Sequence, residues 1–287
     1  MNIDSPLSHR KQEPENSVLY LVGTPIGNLN DISLRALQIL KNVSLIACED
    51  TRQTKKLMNK FEIKNYTLSF NEHNASSKIP IIINKLKLGK SIALVSDAGM
   101  PSICDPGENL VREVRNNNMD VICIPGPCAA TTALVASGLP SSSFIFKGFL
   151  PRKRIEREKV LFEISNHEKT IILFESPNRV LKLMMDLKKY CGGEREIRVF
   201  RELTKKYEEQ IGDNINMILN LFENRKILGE ITVVIKGIDK KEKLKFDKFL
   251  LKKELNELID AGLSLSAASK YLAKKNNLKK NMIYNLH

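Results

Sequence analysis

Four short apolar runs in the first half of the chain each stop at a loop of glycine, proline, hydroxyl or acidic residues, and each loop leads into a helical pattern. Tyr20-Leu21-Val22 runs into Gly23-Thr24-Pro25-Ile26-Gly27-Asn28, and Leu45-Ile46-Ala47 into Cys48-Glu49-Asp50-Thr51-Arg52. Ile92 to Val95 runs into Ser96-Asp97-Ala98-Gly99, and Val121 to Ile124 into Pro125-Gly126-Pro127-Cys128-Ala129-Ala130-Thr131. Apolar runs of this length, bounded by turn formers, read as buried strands. Their alternation with helices predicts an α/β domain with a parallel-rich sheet whose loops gather at one edge, where ligands of such sheets bind. Ser96 to Gly99 combines a hydroxyl, a carboxylate and almost no bulk, so a ligand can approach the backbone closely there. Pro101 and Pro106-Gly107 shape the rest of that loop, which reads either as a ligand site or as an ordinary strand-to-helix turn capped by Asp105.

Ser33 is placed to cap a helix whose Leu34, Leu37 and Leu40 share a face. Lys55 to Phe61 reads as a short basic helix and Tyr66 to Phe70 as a strand. The cluster Asn71-Glu72-His73-Asn74 after it is a solvated turn or a source of a general base. Helices are predicted over Ala75 to Leu88, interrupted near Pro80 and ended by Gly89, and over Leu110 to Asn117. Gly138-Leu139-Pro140 closes a first domain over residues 18–140. In a second, residues 141–240, strands are predicted at 144–146, 170–174, 196–201, 207–211 and 230–236 with helices between only some of them, which implies a mixed sheet. Ser176-Pro177 has the form of a helix entry. Residues 241–287 read as a basic helical appendage, two helices about a Gly262 turn, a shape shared with helix-turn-helix units.

The formal charge is +13, and residues 241–287 hold 11 lysines against 5 acidic residues, so both parts of the chain favour a polyanionic partner. The five cysteines lack metal-ligand spacing, which together with the absence of a long apolar run points to a reduced, cytoplasmic protein with no structural metal and no membrane span. The polar start, residues 1–17, reads as a disordered tail. No GxGxxG loop is present, so an ordinary dinucleotide site is unsupported.

Eight runs occur in order: YLVGTPIGNLNDISLRAL, ACEDTRQTKKL, SFNEHN, ALVSDAGMPSICDPG, IPGPCAATTALVASGLP, FKGFLPRK, FESPNR and RELTKKYEE. In these motifs the chain closely resembles the bacterial small-subunit ribosomal RNA cytidine 2'-O-methyltransferases of the tetrapyrrole methylase superfamily, from about Leu19 to Gly237. The resemblance implies a two-domain α/β fold with S-adenosylmethionine in the cleft between the domains, a homodimer, and methylation of a cytidine ribose in the decoding region of small-subunit rRNA, within the ribosomal subunit. It implies cofactor contacts from Thr24, Pro25, Ile26, Gly27 and Asn28, from Ser96, Asp97, Ala98, Gly99 and Pro101, from Pro125, Gly126, Cys128 and Ala129, and from Glu175, Ser176 and Pro177. By residue type and loop position, Glu49, Glu72, His73 and Glu202 are candidate bases for a hydroxyl that must lose its proton. Arg52, Arg152, Lys153, Arg154, Arg179, Arg201 and Lys205 are candidate phosphate contacts. Two other readings stay open: a tetrapyrrole C-methyltransferase, and a non-enzymatic RNA-binding protein that uses its terminal helices.

Overall fold

The computed structural model of the chain describes residues 13–276 and 278–287, and the side chains of all of these except 240–247. In the first half, β1 (Leu19–Val22), β2 (Leu45–Cys48), β3 (Thr67–Ser69), β4 (Ile92–Val95) and β5 (Val121–Ile124) form one sheet in the order β3-β2-β4-β1-β5. Every pairing in it is parallel. β2 and β4 are buried along their whole length, which is why they read as continuous apolar runs rather than alternating ones. Two apolar layers cover the faces, one around Ile39, Leu40 and Met58, the other around Ile82, Leu86 and Leu110.

The helices begin where side chains can satisfy their first amides. The Ser33 hydroxyl accepts from Ala36 N–H at the start of α1 (Leu34–Asn42). The Asp50 carboxylate does the same for Arg52 N–H, so α2 (Thr51–Lys60) starts four residues earlier than its apolar pattern suggests. Pro80 lies inside an unbroken α3 (Ala75–Lys87) and does not interrupt it. Pro80 is exposed, so the carbonyl deprived of its partner is open to water. α4 (Glu108–Asn116) starts after Gly107, and no side chain caps it, so the cap expected of Asp105 is not made. α5 (Ala129–Ser137) ends at Gly138, which is left-handed at φ +69°.

The second unit comprises β6 (Phe144–Phe149), α6 (Arg154–Asn166), β7 (Thr170–Glu175), α7 (Pro177–Cys191), β8 (Glu196–Arg201), β9 (Glu209–Asn214), α8 (Ile215–Glu223) and β10 (Ile231–Ile235). Their sheet is mixed, in the order β6-β7-β10-β8-β9. β6 and β7 are parallel and the other pairs antiparallel. β9 starts two residues later than predicted, and α8 is a helix that the strand-oriented reading of this region missed. The two sheets are joined by α5, whose Ala130, Ala133 and Leu134 pack with Ile172, Phe200, Leu203 and Val234 of the second unit. Small residues let this helix lie close against the sheet.

α9 (Lys240–Asp260), α10 (Leu265–Lys275) and α11 (Lys280–Tyr284) share a small core of their own around Leu255, Leu272 and Ile283. Of the tail expected to be disordered, residues 1–12 lie outside the described residues. Glu13 pairs with Arg35, and the Glu15 N–H donates to the Tyr20 hydroxyl at 2.8 Å, so residues 13–17 are held against the first sheet. No helix among the described residues is long and apolar enough to cross a membrane.

Candidate active site between the two sheets

β1 and β4 run side by side, and their loops continue the pairing beyond the sheet. Thr24 N–H donates to the Gly99 carbonyl at 2.9 Å, and Gly99 N–H donates to the Thr24 carbonyl at 3.1 Å. Gly99 holds φ +81°, a conformation that favours glycine. The Ser96 hydroxyl closes the bend by donating to the Ala98 and Gly99 carbonyls at 3.2 and 3.3 Å. The loop after β5 crosses at the same place. Gly23 N–H donates to the Ile124 carbonyl, and a Cβ on Gly23 would stand 2.7 Å from the Gly126 Cα. Three bends that are far apart in sequence thus interlock into one rim.

Opposite this rim, β7 ends at Glu175 beside Ile231, where β10 begins. The cleft between them holds about 480 Å³, a size suited to a small-molecule ligand. Ile26, Asp97, Ala98, Gly99, Cys128 and Ala129 line it from the first unit, and Glu175, Ser176 and Pro177 from the second, so the fold brings these candidate residues together. Phe149 and Phe174 add an aromatic wall, their rings 5.7 Å apart and edge to face, with Phe146 behind at 4.9 Å. Among the described residues, five carboxylates line the cleft, Glu49, Asp97, Asp105, Glu175 and Glu230, and no lysine, arginine or histidine does.

That charge is partly desolvated. Burial raises the Glu49 carboxyl above its ordinary range, and the neighbouring Asp105, Asp97 and Glu72 charges add to the effect. Burial, reinforced by Asp97, pushes Asp105 up to about 6. Glu175 is 2% exposed. One of its oxygens accepts from Ser176 N–H at 2.8 Å, while the other lies 3.7 Å from the Arg157 guanidinium and has no hydrogen bond. Arg157 is held in turn by Asp186 at 2.8 Å.

Not every predicted residue reaches this cleft. Thr24, Pro25, Gly27 and Ser96 line a second groove on the other side of the Thr24–Gly99 bridge. Asn28 caps a 3-10 turn at Leu29–Asp31 and donates its N–H to the Thr204 hydroxyl, tying the two units together. Pro101, Pro125 and Gly126 support the rim without lining either cavity. Of the candidate bases, only Glu49 lines the cleft. Glu72 and His73 are exposed on the neighbouring loop. Glu202 has φ +54° and turns to Lys205 at 2.8 Å. Although burial opposes it, that ammonium and the Glu230 N–H hold its carboxyl below the ordinary range.

Among the basic residues, Arg52, Arg152, Lys153 and Arg154 stand exposed. Arg179 is tied to the Leu150 carbonyl and Glu175, Arg201 to Glu209, and Lys205 to Glu202 and Glu230, so these three act as internal braces. Sequence reasoning missed Asp105 as a cleft residue, along with Phe149, Phe174 and the Gly229 to Thr232 edge. The only available signal for Asp105 was its place in the loop after β4.

Because its folded pKa is raised from 3.8 to about 6, Asp105 favours the folded state fully at low pH. That stability is lost as pH rises through 6. Asp105→Asn, which mimics the neutral acid, is therefore expected to be more stable than the parent at pH 7, by about 1 kcal/mol after solvent screening, with little difference near pH 4. Urea unfolding at the two pH values measures it. A variant less stable at pH 7 than at pH 4 relative to the parent contradicts the assignment.

The cleft suits S-adenosylmethionine, the donor implied by the resemblance. A bound donor presents a sulfonium and an ammonium against one carboxylate of its own, a net positive charge for which Glu49, Asp97 and Asp105 are counter-charges, and an adenosine, for which Phe149, Phe174 and Ile26 are apolar walls.

The chain is similar to known proteins in sequence and in fold. The family described as tetrapyrrole (corrin/porphyrin) methylases matches residues 18–216. Ribosomal RNA small subunit methyltransferase I of Synechocystis sp. is 41% identical over 269 residues, covering 94% of this chain and 96% of that protein. The protein of the same name from Thermotoga maritima is 48% identical over 219 residues, 76% of this chain and 98% of its own length. Among solved structures, a cobalt precorrin-4 methyltransferase superposes with a TM-score of 0.59 at 16% identity, covering 77% of this chain and 95% of that one. A diphthine synthase gives 0.60 at 14% identity, covering 79% and 93%. At these identities the structural matches speak for the fold alone.

Proposed function

The chain belongs to the tetrapyrrole methylase family, and on that footing we propose that it transfers the methyl group of S-adenosylmethionine to small-subunit rRNA, at the ribose 2'-hydroxyl of a cytidine in the decoding region. The observation that carries this reading is an acidic cleft inside a basic protein. Glu175 is paired with Arg157 and Arg179 and Glu230 with Lys205, which leaves Glu49, Asp97 and Asp105 to favour a positively charged donor and to oppose a polycarboxylate substrate such as a tetrapyrrole. An RNA, by contrast, is held from outside by Arg52, Arg152, Lys153 and Arg154, with only one sugar reaching inward.

When bound, the donor supplies an electrophilic methyl on sulfur. The chain's task is to orient the acceptor, exclude water and take the hydroxyl proton. Ile26, Phe149 and Phe174 supply the dry walls. Glu49 accepts the proton at a carboxylate oxygen, its basicity strengthened by burial and by Asp105 beside it. The oxygen so uncovered is the nucleophile. We further propose that the chain works in the cytoplasm, where this substrate is, and as a homodimer, which sedimentation of the purified protein tests directly.

Labelled donor incubated with undermethylated small subunits, naked rRNA and a porphyrinogen in parallel tests the activity. Label is expected on rRNA and, after digestion, on 2'-O-methylcytidine. Label on the porphyrinogen alone contradicts the proposal. Replacing Arg152, Lys153 and Arg154 together by Gln is expected to weaken rRNA binding and lower the slope of its salt dependence by about 2 to 3. Filter binding at several salt concentrations measures this, and an unchanged slope removes these residues from the RNA interface.

A further inference from the structure

The groove beyond the Thr24–Gly99 bridge is separate from the acidic cleft. It holds about 370 Å³ and lies between the loop after β1 and the first turns of α2. Asp97 borders both this groove and the acidic cleft, so one loop separates two cavities that open on either side of it. A methyl acceptor must reach the donor from a second compartment, because the reacting oxygen and the leaving sulfur lie on opposite sides of the transferred carbon. The shared Asp97 wall marks where that compartment begins.

We infer that this groove receives the target nucleotide of the RNA, its base between Pro25, Leu29 and Leu57 and its polar edge against Gln53 and Lys56, with the ribose at Asp97. The inference rests on the rRNA methyltransferase reading and adds its acceptor site. Pro25, Leu29 and Leu57 give flat apolar contact for a base. Gln53 carries an amide whose NH2 is able to donate at a pyrimidine edge while its oxygen accepts from Lys56. Lys56 donates to the Gln53 side-chain oxygen at 3.0 Å, so the two polar groups stand together at the groove, and Lys56 supplies a cation for the adjoining phosphate. Arg52, on the preceding turn of the same helix, is exposed and paired with Asp50 at 2.8 Å, so Lys56 is the cation nearest the groove's polar edge. The volume matches a single nucleotide rather than a duplex, so the target base leaves its stack on binding. The groove also explains why Thr24, Pro25, Gly27 and Ser96 do not line the donor cleft, although they belong to loops that do.

The test uses the full chain with Gln53→Ala, Lys56→Glu and the double variant, all at exposed positions. Donor affinity is measured by calorimetry with S-adenosylmethionine, and methylation kinetics with undermethylated small subunits at saturating donor. Donor affinity within about twofold of the parent, with kcat/KM for subunits down about tenfold in each single variant, supports the inference. The unchanged donor affinity also shows that the variants are folded. Two results overturn it: kcat/KM unchanged in the double variant, which leaves the groove unused, or donor affinity falling as far as kcat/KM, which makes the groove part of the donor site. Failure of the underlying reading looks different, because there the parent chain itself transfers no methyl to rRNA.

Discussion

Glu49→Gln is expected to lower kcat for rRNA methylation by about 100-fold or more while donor affinity stays within about threefold of the parent. The amide keeps the shape of the side chain and loses only its ability to take a proton. A ribose hydroxyl is a weak nucleophile until that proton leaves. Of the four acidic or basic groups that the loops offered, only Glu49 lines the cleft, half-buried and pushed toward higher basicity by burial and by Asp105, Asp97 and Glu72. The same burial predicts the pH profile. The parent's kcat rises as Glu49 ionises, above the ordinary carboxylate range, and the residual activity of Glu49→Gln loses that dependence. Glu202→Gln is the contrasting variant. Its carboxylate faces Lys205 rather than the cleft, and kcat is expected to change by less than about threefold. Single-turnover methylation of small subunits across pH measures all three. A Glu202 variant as impaired as the Glu49 variant transfers the role of base away from Glu49.

Gly126→Ala carries the second large expectation. The added Cβ would stand 2.8 to 2.9 Å from the Gly23 Cα, carbonyl carbon and carbonyl oxygen, all backbone atoms. Gly23 cannot retreat freely, because its N–H is bonded to the Ile124 carbonyl and the next residue is bridged to Gly99. Overpacking of this kind costs about 1–3 kcal/mol. It falls on the rim that shapes the donor cleft, so donor affinity is expected to fall at least about tenfold together with a lowered Tm. Gly89→Ala separates this effect from ordinary glycine strain. Gly89 has a positive φ, +78°, which Gly126 lacks, but nothing lies within 4 Å of its would-be Cβ. That variant is expected to lose about 1 kcal/mol of stability and no donor affinity. Equal donor binding by parent and Gly126→Ala shows that the bends do not form the site.

The parts of the fold legible in the sequence were those where burial leaves a repetitive mark. β2 and β4, buried on both faces, appear as apolar runs, and Ser33 announces α1 by its own side chain. Where one residue's local bond overrides the pattern, the reading slipped. Asp50 starts α2 early, and the exposed Pro80 fails to break α3. The first unit's side of the cleft was legible because small and acidic residues at strand ends carry chemistry that a core does not need, whereas the second unit's Glu175, Ser176 and Pro177 were implied only by the resemblance. The division of the same loops between two cavities was not, since it depends on the Thr24–Gly99 bridge, a pairing 75 residues apart in sequence. The fate of the arginines was equally hidden. Arg179 and Arg201 carry the same composition signal as Arg152, and only the fold places carboxylates and carbonyls against them.

On the proposed reading, the bends leaving the first sheet and the Glu175 edge of the second enclose a single acidic crevice that holds the methyl donor. A crystal of the protein soaked with S-adenosylmethionine tests it most directly. The sulfur is expected among Glu49, Asp97 and Asp105, with the adenosine against Phe149 and Phe174. Donor density in the groove beside Gln53 and Lys56, or away from both cavities, contradicts it.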